Sequence, residues 1–338
     1  MPTLSPPPTV GELSEGELLA RILPRLAGGP PALLGPGDDA AVVAAPDGRV
    51  VITTDTQTQD ADFRLEWPNG YRHTGRDVGW KAAAQNLSDV NAMGAVATAI
   101  VVSLTLPPST PVAWVEGLAE GLAEAVSALG ATRCALAGGD LGRGRELSIT
   151  ATVLGSLDGR EPVLRSGARP GDTLAVAGAL GPAAAGLALL EHGPAYGSLE
   201  PTLRELVGRQ CRPVPPLEAG PAAARGGASA LMDLSDGLLR DADRLAAASG
   251  VLLDLDPAAL AAHAEPLRFA AELLAVDPLE WVVSGGEDHG LLAAFPTAAQ
   301  LPHGFAAIGS VLPAVGGKPG VSLGGRPAAT RGWDHFAS

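Results

Sequence analysis

Six stretches of this chain carry aspartate where an apolar segment meets glycine, serine or threonine. They are Gly37-Asp38-Asp39, Thr53-Thr54-Asp55, Leu87-Ser88-Asp89, Gly138-Gly139-Asp140, Met232-Asp233-Leu234-Ser235-Asp236-Gly237 and Gly285-Gly286-Glu287-Asp288. A carboxylate at the end of a buried strand requires a partner, because an unpaired buried charge is costly. Basic partners are scarce, since the 23 basic side chains include just two lysines, Lys81 and Lys318. Sharing divalent ions is another way to neutralise the acids. Oxygen-only ligand sets suit Mg2+, which keeps waters and joins protein carboxylates to phosphates. The pattern points to phosphoryl chemistry.

Asp55 closes the strand-like run Val50-Val51-Ile52, and the hydroxyls of Thr53 and Thr54 are further oxygen ligands. The plainer reading is a turn after a strand. Lys81, Gln85 and Asp89 recur at i, i+4 and i+8, one helical face. Such a row serves a nucleotide–metal site or forms a solvated stripe. The flanking Ala82-Ala83-Ala84 and Val90-Asn91-Ala92-Met93 suit a helix packed on both sides. Two glycines before Asp140 let the backbone approach a ligand closely. Asp233 and Asp236 bracket a strand-to-helix junction, where Ser235 and the helix N-terminus can donate to a phosphate. Capping the helix is the commoner role for such a serine. The chain contains no phosphate-binding Gly-x-x-x-x-Gly-Lys-[Ser/Thr] loop, protein-kinase motif set, His-Glu-x-x-His or Cys-x-x-Cys.

The elements that must position these residues follow from pattern. Ser14-x-x-Glu17 is a capping box opening a helix to about Leu26. Ala40–Ala45 and Val50–Asp55 read as strands joined by the turn Pro46-Asp47-Gly48. Thr74–Ala92 and Val112–Leu129 read as helices, and Ala97–Leu106, Cys134–Ala137 and Leu147–Leu157 as strands. Beyond the turn-rich Asp158–Asp172, strands are predicted at Thr173–Ala177, Ala230–Leu234, Val251–Leu255, Leu291–Phe295 and Phe305–Val311. Helices are predicted at Pro182–Leu190, Leu203–Arg209, Leu217–Arg225 and Gly237–Ser249. A length of 338 residues fits two domains, drawn here at 1–157 and 158–338.

Composition narrows the partners. Hydrophobic residues make up 46% and aromatics only 4%, so alanine, valine and leucine must fill the interior. A net charge of −14 argues against nucleic acid or an anionic membrane surface. Phosphates remain accessible if cations invert the local sign. Cys134 and Cys211 match no metal spacing and read as free thiols of a reducing compartment. No secretion signal or membrane-length apolar run is evident, so a soluble, cytoplasmic protein is expected.

In this order the motifs resemble the thiamine-monophosphate kinase family, within the superfamily of aminoimidazole ribonucleotide synthetase and selenophosphate synthetase. The resemblance runs from Gly11-Glu12 to Trp333-Asp334-His335-Phe336. Its specific pieces are Gly37-Asp38-Asp39-Ala40-Ala41, Thr54-Asp55-Thr56, Asn86-Leu87-Ser88-Asp89 with Ala92-Met93-Gly94-Ala95, Gly138-Gly139-Asp140, Arg165-Ser166-Gly167-Ala168, Asp233-Leu234-Ser235-Asp236-Gly237-Leu238 and Ser284-Gly285-Gly286-Glu287-Asp288. It implies an α/β (α+β) subunit of two domains, whose N-terminal four-stranded sheet closes a barrel across a homodimer. It also implies ATP and Mg2+ in a cleft between the domains.

By motif position, Asp39, Thr53, Thr54, Asp55, Asp89, Asp140, Asp233 and Asp236 look like Mg2+ ligands. Gly139, Asp140, Arg165 and Ser235 look like nucleotide contacts, and Glu287 and Trp333 like thiamine contacts. Asp55, Asp140, Asp236 and Arg165 would carry catalysis. The chain departs from the family at Asp62, where a substrate-contacting histidine is usual, and at Leu141 and His289-Gly290. The expected activity is ATP-dependent phosphorylation of thiamine monophosphate. The alternatives are another phosphorylated acceptor or a non-catalytic nucleotide- or metal-binding homologue.

Overall fold

The computed structural model describes residues 8–26, 43–329 and 332. Asp39 and Trp333, and most of the first expected strand, Ala40–Ala45, lie outside them. Residues 43–45 are not in a strand, although the turn after them forms, with Gly48 N donating to Ala45 O at 3.0 Å.

Ser14 caps α1 (Glu15–Ile22) through the expected box, its backbone N donating to Glu17 at 2.8 Å. The first sheet holds β1 (Val51–Thr58), β2 (Val96–Leu106), β3 (Ala135–Arg143) and β4 (Ser148–Ser156), in the order β1-β4-β2-β3. β4 is antiparallel to both neighbours, while β2 and β3 are parallel. One face is covered by α2 (Gly75–Ala92) and α3 (Val112–Ala128). Thr74 starts α2 by exchanging hydrogen bonds with Asp77.

The two helices cross closely because small residues stand at the contact. A Cβ on Gly79 would lie 2.1 Å from the Leu118 carbonyl, and one on Gly121 would lie 2.0 Å from the Arg76 carbonyl. Beneath them Val78, Leu87, Val90, Ile100, Val115, Leu118, Ile149 and Val153 form one core. The opposite face of the sheet is open, with Ile52 64% and Val101 39% exposed.

The rest of the chain builds a second sheet. In chain order the elements are β5 (Thr173–Ala177), α4 (Pro182–His192), α5 (Pro201–Cys211), α6 (Ala219–Arg225), β6 (Ala230–Leu234), α7 (Leu238–Ser249) and β7 (Val251–Leu255). They continue with α8 (Pro257–Ala264), α9 (Arg268–Leu274), α10 (Pro278–Ser284), β8 (Gly290–Phe295), β9 (Phe305–Pro313), β10 (Gly320–Leu323) and β11 (Arg326–Pro327). The sheet order is β11-β10-β7-β9-β5-β8-β6. Leu174, Val176, Met232, Leu245, Leu253, Leu292 and Val311 form its core.

The sequence patterns found the strands through β9 but missed α8–α10 and the β10–β11 hairpin. α8 is alanine-rich and nearly apolar around its circumference, so it lacks a readable stripe. The sequence Gly324-Gly325 between β10 and β11 marks a turn that the pattern reading did not use. Cys134 and Cys211 are buried free thiols, and burial pushes both up to about 12. Among the described residues, no helix is long and apolar enough to cross a membrane.

Helix α2 also fastens the second half of the chain. Trp80 Nε1 donates to Pro213 O at 2.8 Å, and Asn91 accepts from Gly220 N at 2.9 Å. Arg212 Nε lies 2.6 Å from Asp77 Oδ1. The carboxyl end of β6 and the Gly285–His289 segment thereby come against the polar stripe of α2.

Candidate active site

Strand period and helix period meet along the β1–α2 contact. Alternate residues of β1 point to opposite faces, and Thr53, Asp55 and Gln57 take the face covered by α2. Thr53 Oγ1 donates to Asp89 Oδ2 at 2.7 Å, Asp55 N to Asn86 Oδ1 at 3.1 Å, and Gln57 Nε2 to Gln85 Oε1 at 3.1 Å. Rising numbers on the strand meet falling numbers on the helix, so the two run antiparallel. The row Lys81, Gln85, Asp89 is thus an internal face. Thr54, one residue out of phase, turns its hydroxyl the other way, to Ala151 O and Thr152 Oγ1, both at 3.0 Å. Its side chain does not join Asp55.

Three carboxylates gather at the end of this row. Asp55 and Asp89 stand within hydrogen-bonding reach of each other, and Asp233, at the end of β6, adds its charge from the second sheet. Burial, reinforced by Asp233 and Asp55, pushes Asp89 up to about 8. Burial also raises Asp55, with Asp233 and Asp62 adding to the effect. His289 Nδ1 lies 3.8 Å from Asp233 Oδ2. Burial opposes charge on His289, but Asp233, Glu287 and Asp89 together raise its affinity for a proton. Asp233 Oδ2 and both ring nitrogens of His289 are buried without a hydrogen-bond partner among the described residues.

Asp236 follows at the mouth of α7. Its carboxylate lies 2.6 Å from Arg244 Nη1, and its backbone N donates to Asp241 Oδ2 at 3.0 Å. Asp241, held up at about 6 chiefly by burial, was missed by sequence reasoning. Its one signal is its place as an acid in the first turn after Gly237. Ser235 does not cap α7. Gly237 takes the cap position, and Ser235 O accepts from Glu287 N at 2.9 Å.

The remaining expected residues lie around this centre at varying distance. Asp62 Oδ2 accepts from Thr58 N at 2.7 Å, so the carboxylate closes a turn. Asp140 is exposed on β3, in register with Ser103 of β2. Gly139 has a packing reason, since a Cβ there would lie 1.8 Å from the Val102 carbonyl. Arg165 is exposed, and its carbonyl accepts from Ser249 Oγ at 2.9 Å. Glu287 pairs with Lys81, which is 1% exposed. Asp288 caps the start of α4, accepting from Gly181 N at 2.5 Å and Ala183 N at 2.9 Å, and burial holds it up at about 7.

The donor set fits a divalent cation. Crowded carboxylates that resist ionisation beside an orphaned carboxylate oxygen are what a cation would relieve. Among the described residues no group of three acids or histidines is preassembled as a cage.

Known proteins resemble this chain in sequence and fold. Residues 37–157 match the family described as AIR synthase related protein, N-terminal domain. The chain is 47% identical over 305 residues to the thiamine-monophosphate kinase of Mycobacterium tuberculosis, covering 90% of this chain and 87% of that one. It is 41% identical over 308 residues to that of Corynebacterium glutamicum, covering 90% and 88%. Among solved structures, AaThiL complexed with AMPPCP and TMP superposes with a TM-score of 0.73 at 30% identity, covering 99% of this chain and 100% of that one. The hydrogenase maturation protein HypE, at 18% identity and a TM-score of 0.64 over 93% and 98% of the two chains, shares the fold.

Proposed function

The chain belongs to the thiamine-monophosphate kinase family, and from that premise we propose that it transfers the γ-phosphoryl group of ATP to the phosphate of thiamine monophosphate, giving thiamine diphosphate and ADP. One observation carries the reading. Asp55 and Asp89 from the first half of the chain meet Asp233 from the second, whose charge helps to raise both of them. A scaffold without ligands gains nothing from such mutual repulsion.

Asp55, Asp89, Asp233 and Asp236 would hold Mg2+, with Asp39 and Asp140 completing the set and Thr53 orienting Asp89. The chemistry that Mg2+ would supply there is charge neutralisation of the reacting phosphates. Arg165, Gly139, Asp140 and Ser235 would border the nucleotide, and Glu287, Asp62 and Trp333 the acceptor. A phosphate monoester has its second pKa near ~6, so the acceptor is already a dianion at neutral pH. No side chain needs to remove a proton, and in-line attack is limited by repulsion. One like-charged pair at ~4 Å costs about 4 kcal/mol at an effective dielectric of ~20. The residues' task is therefore to hold two anions in line within a crevice lined by acids. We read 1–157 and 158–338 as the two domains that form it. The open face of the first sheet would bury Ile52 and Val101 against a second copy, closing a barrel across a homodimer.

The test is ATP turnover with thiamine monophosphate, with other phosphorylated acceptors, and with none. Thiamine monophosphate is expected to be the preferred acceptor, and Asp55→Ala or Asp236→Ala to abolish turnover while leaving the fold intact. Near wild-type rates in either variant would overturn the metal assignment. Preference for another acceptor would replace the substrate.

A further inference from the structure

Lys81 has no place in the reaction described so far, yet it is one of only two lysines and is 1% exposed. Burying an ammonium is tolerated only with close, oriented partners. Lys81 has three of them. It forms an ion pair with Glu287 Oε2, it donates from Nζ to the Asp62 carbonyl at 3.3 Å, and it donates to the Gln210 side-chain oxygen at 3.2 Å once that amide is oriented to bond Ala183 O. Two of the three, Glu287 and Asp62, are the described residues assigned to the acceptor. They come from opposite halves of the chain.

The segment carrying Glu287 is one that such a tie would need to hold. Glu287 and His289 both sit in the left-handed region, at φ 72° and 53°. That backbone is costly for a residue with a Cβ and persists where surroundings over-determine it. Here Asp288 is fixed to the start of α4, Glu287 N to Ser235 O, and His289 N to Leu234 O. These bonds fix the backbone. The Glu287 side chain is 35% exposed, and its Oε2 is held by Lys81.

Resting on the kinase reading above, we propose that Lys81 is a positioning residue for the acceptor half of the site: it aims the Glu287 carboxylate and pins the Asp62 turn, so that both present a preformed surface to the cationic ring of thiamine monophosphate. It touches neither the substrate nor the metal-binding aspartates. Removing it should therefore weaken the acceptor and spare the nucleotide.

The experiment is a kinetic double-mutant cycle with Lys81→Met, Glu287→Gln and the double variant. Wild-type turnover with thiamine monophosphate is measured first, and its absence would overturn the kinase reading together with this proposal. With turnover established, Lys81→Met is expected to raise KM for thiamine monophosphate about tenfold or more. KM for ATP should stay within about twofold and kcat should fall less than tenfold. The double variant should be less impaired in KM for thiamine monophosphate than the product of the two single effects, because part of what Lys81 does passes through that carboxylate. Equal rises in both KM values, or additive effects in the cycle, would refute positioning and leave a general structural role. If Lys81→Met does not fold, Glu287→Gln decides alone: a raised KM for thiamine monophosphate supports the proposal, and an unchanged one overturns it.

Discussion

If Asp55, Asp89 and Asp233 are kept apart from water and close to one another for the sake of a cation, then the metal-free protein should be strained, and removing one charge should relieve it. Asp89→Asn is the cleanest perturbation, since the amide oxygen can still accept from Thr53 Oγ1. Asp89 is held up at about 8 against an ordinary value of 3.8. At neutral pH the folded chain therefore keeps a proton that the unfolded chain has released. Holding that proton costs about 1.4 kcal/mol for every pH unit above the ordinary value. The roughly three pH units between 3.8 and neutrality give an upper bound of ~4 kcal/mol, and sharing of the repulsion with Asp55 and Asp233 brings the expected gain to ~2 kcal/mol. The sign follows from the proton count. A carboxyl raised on folding costs stability progressively as pH rises from about 4 to about 8, so the gain in the variant should grow across that window. The assay is denaturant unfolding of chelator-treated protein over a pH series, repeated with Mg2+. Metal-free Asp89→Asn should be the more stable protein and should gain little from Mg2+, whereas the wild type should gain clearly. If Asp89→Asn is destabilised in chelator at pH 8, the carboxylates are not in conflict and the metal argument fails.

Two further outcomes are expected. His73 accepts from Trp67 Nε1 at 3.2 Å, and burial lowers it to about 4 from 6.5. A base depressed on folding lends stability that is complete above 6.5 and is lost as pH falls toward 4, here up to ~3 kcal/mol. His73→Gln should flatten that part of the stability profile in calorimetry, and an unchanged slope would contradict the assignment. Ile52→Asp, on the open sheet face, should convert a dimer into monomers in sedimentation; a wild-type protein that sediments as a monomer would refute the barrel.

Much of this site was legible before any coordinates because its parts sit at ends of elements with strong periodic signals. The helix pattern beginning at Thr74 marks α2, and the spacing of Lys81, Gln85 and Asp89 places them on one face. The apolar run before Asp233 marks a strand ending in an acid. What stayed hidden depends on tertiary contacts. Thr53 and Thr54 are equivalent until the strand's inner face is known. The carboxylate of Asp62 looks available until Thr58 N is found bonded to it. The hydroxyl of Ser235 looks like a cap until Gly237 takes that position. α8–α10 escaped notice because they are only seven or eight residues long, too short for a periodic stripe to declare itself.

The stripe on α2 also behaves as a ruler. Lys81 and Asp89 are eight residues apart, which on a helix rising 1.5 Å per residue is ~12 Å. One end meets Glu287 and Asp62, the other Asp55 and Asp233. The gap between the Lys81–Glu287 pair and the aspartate cluster is thus set by a rigid rod rather than by loops that could drift. A single residue inserted between Lys81 and Asp89 would swing one end away by about a hundred degrees while leaving every individual side chain intact.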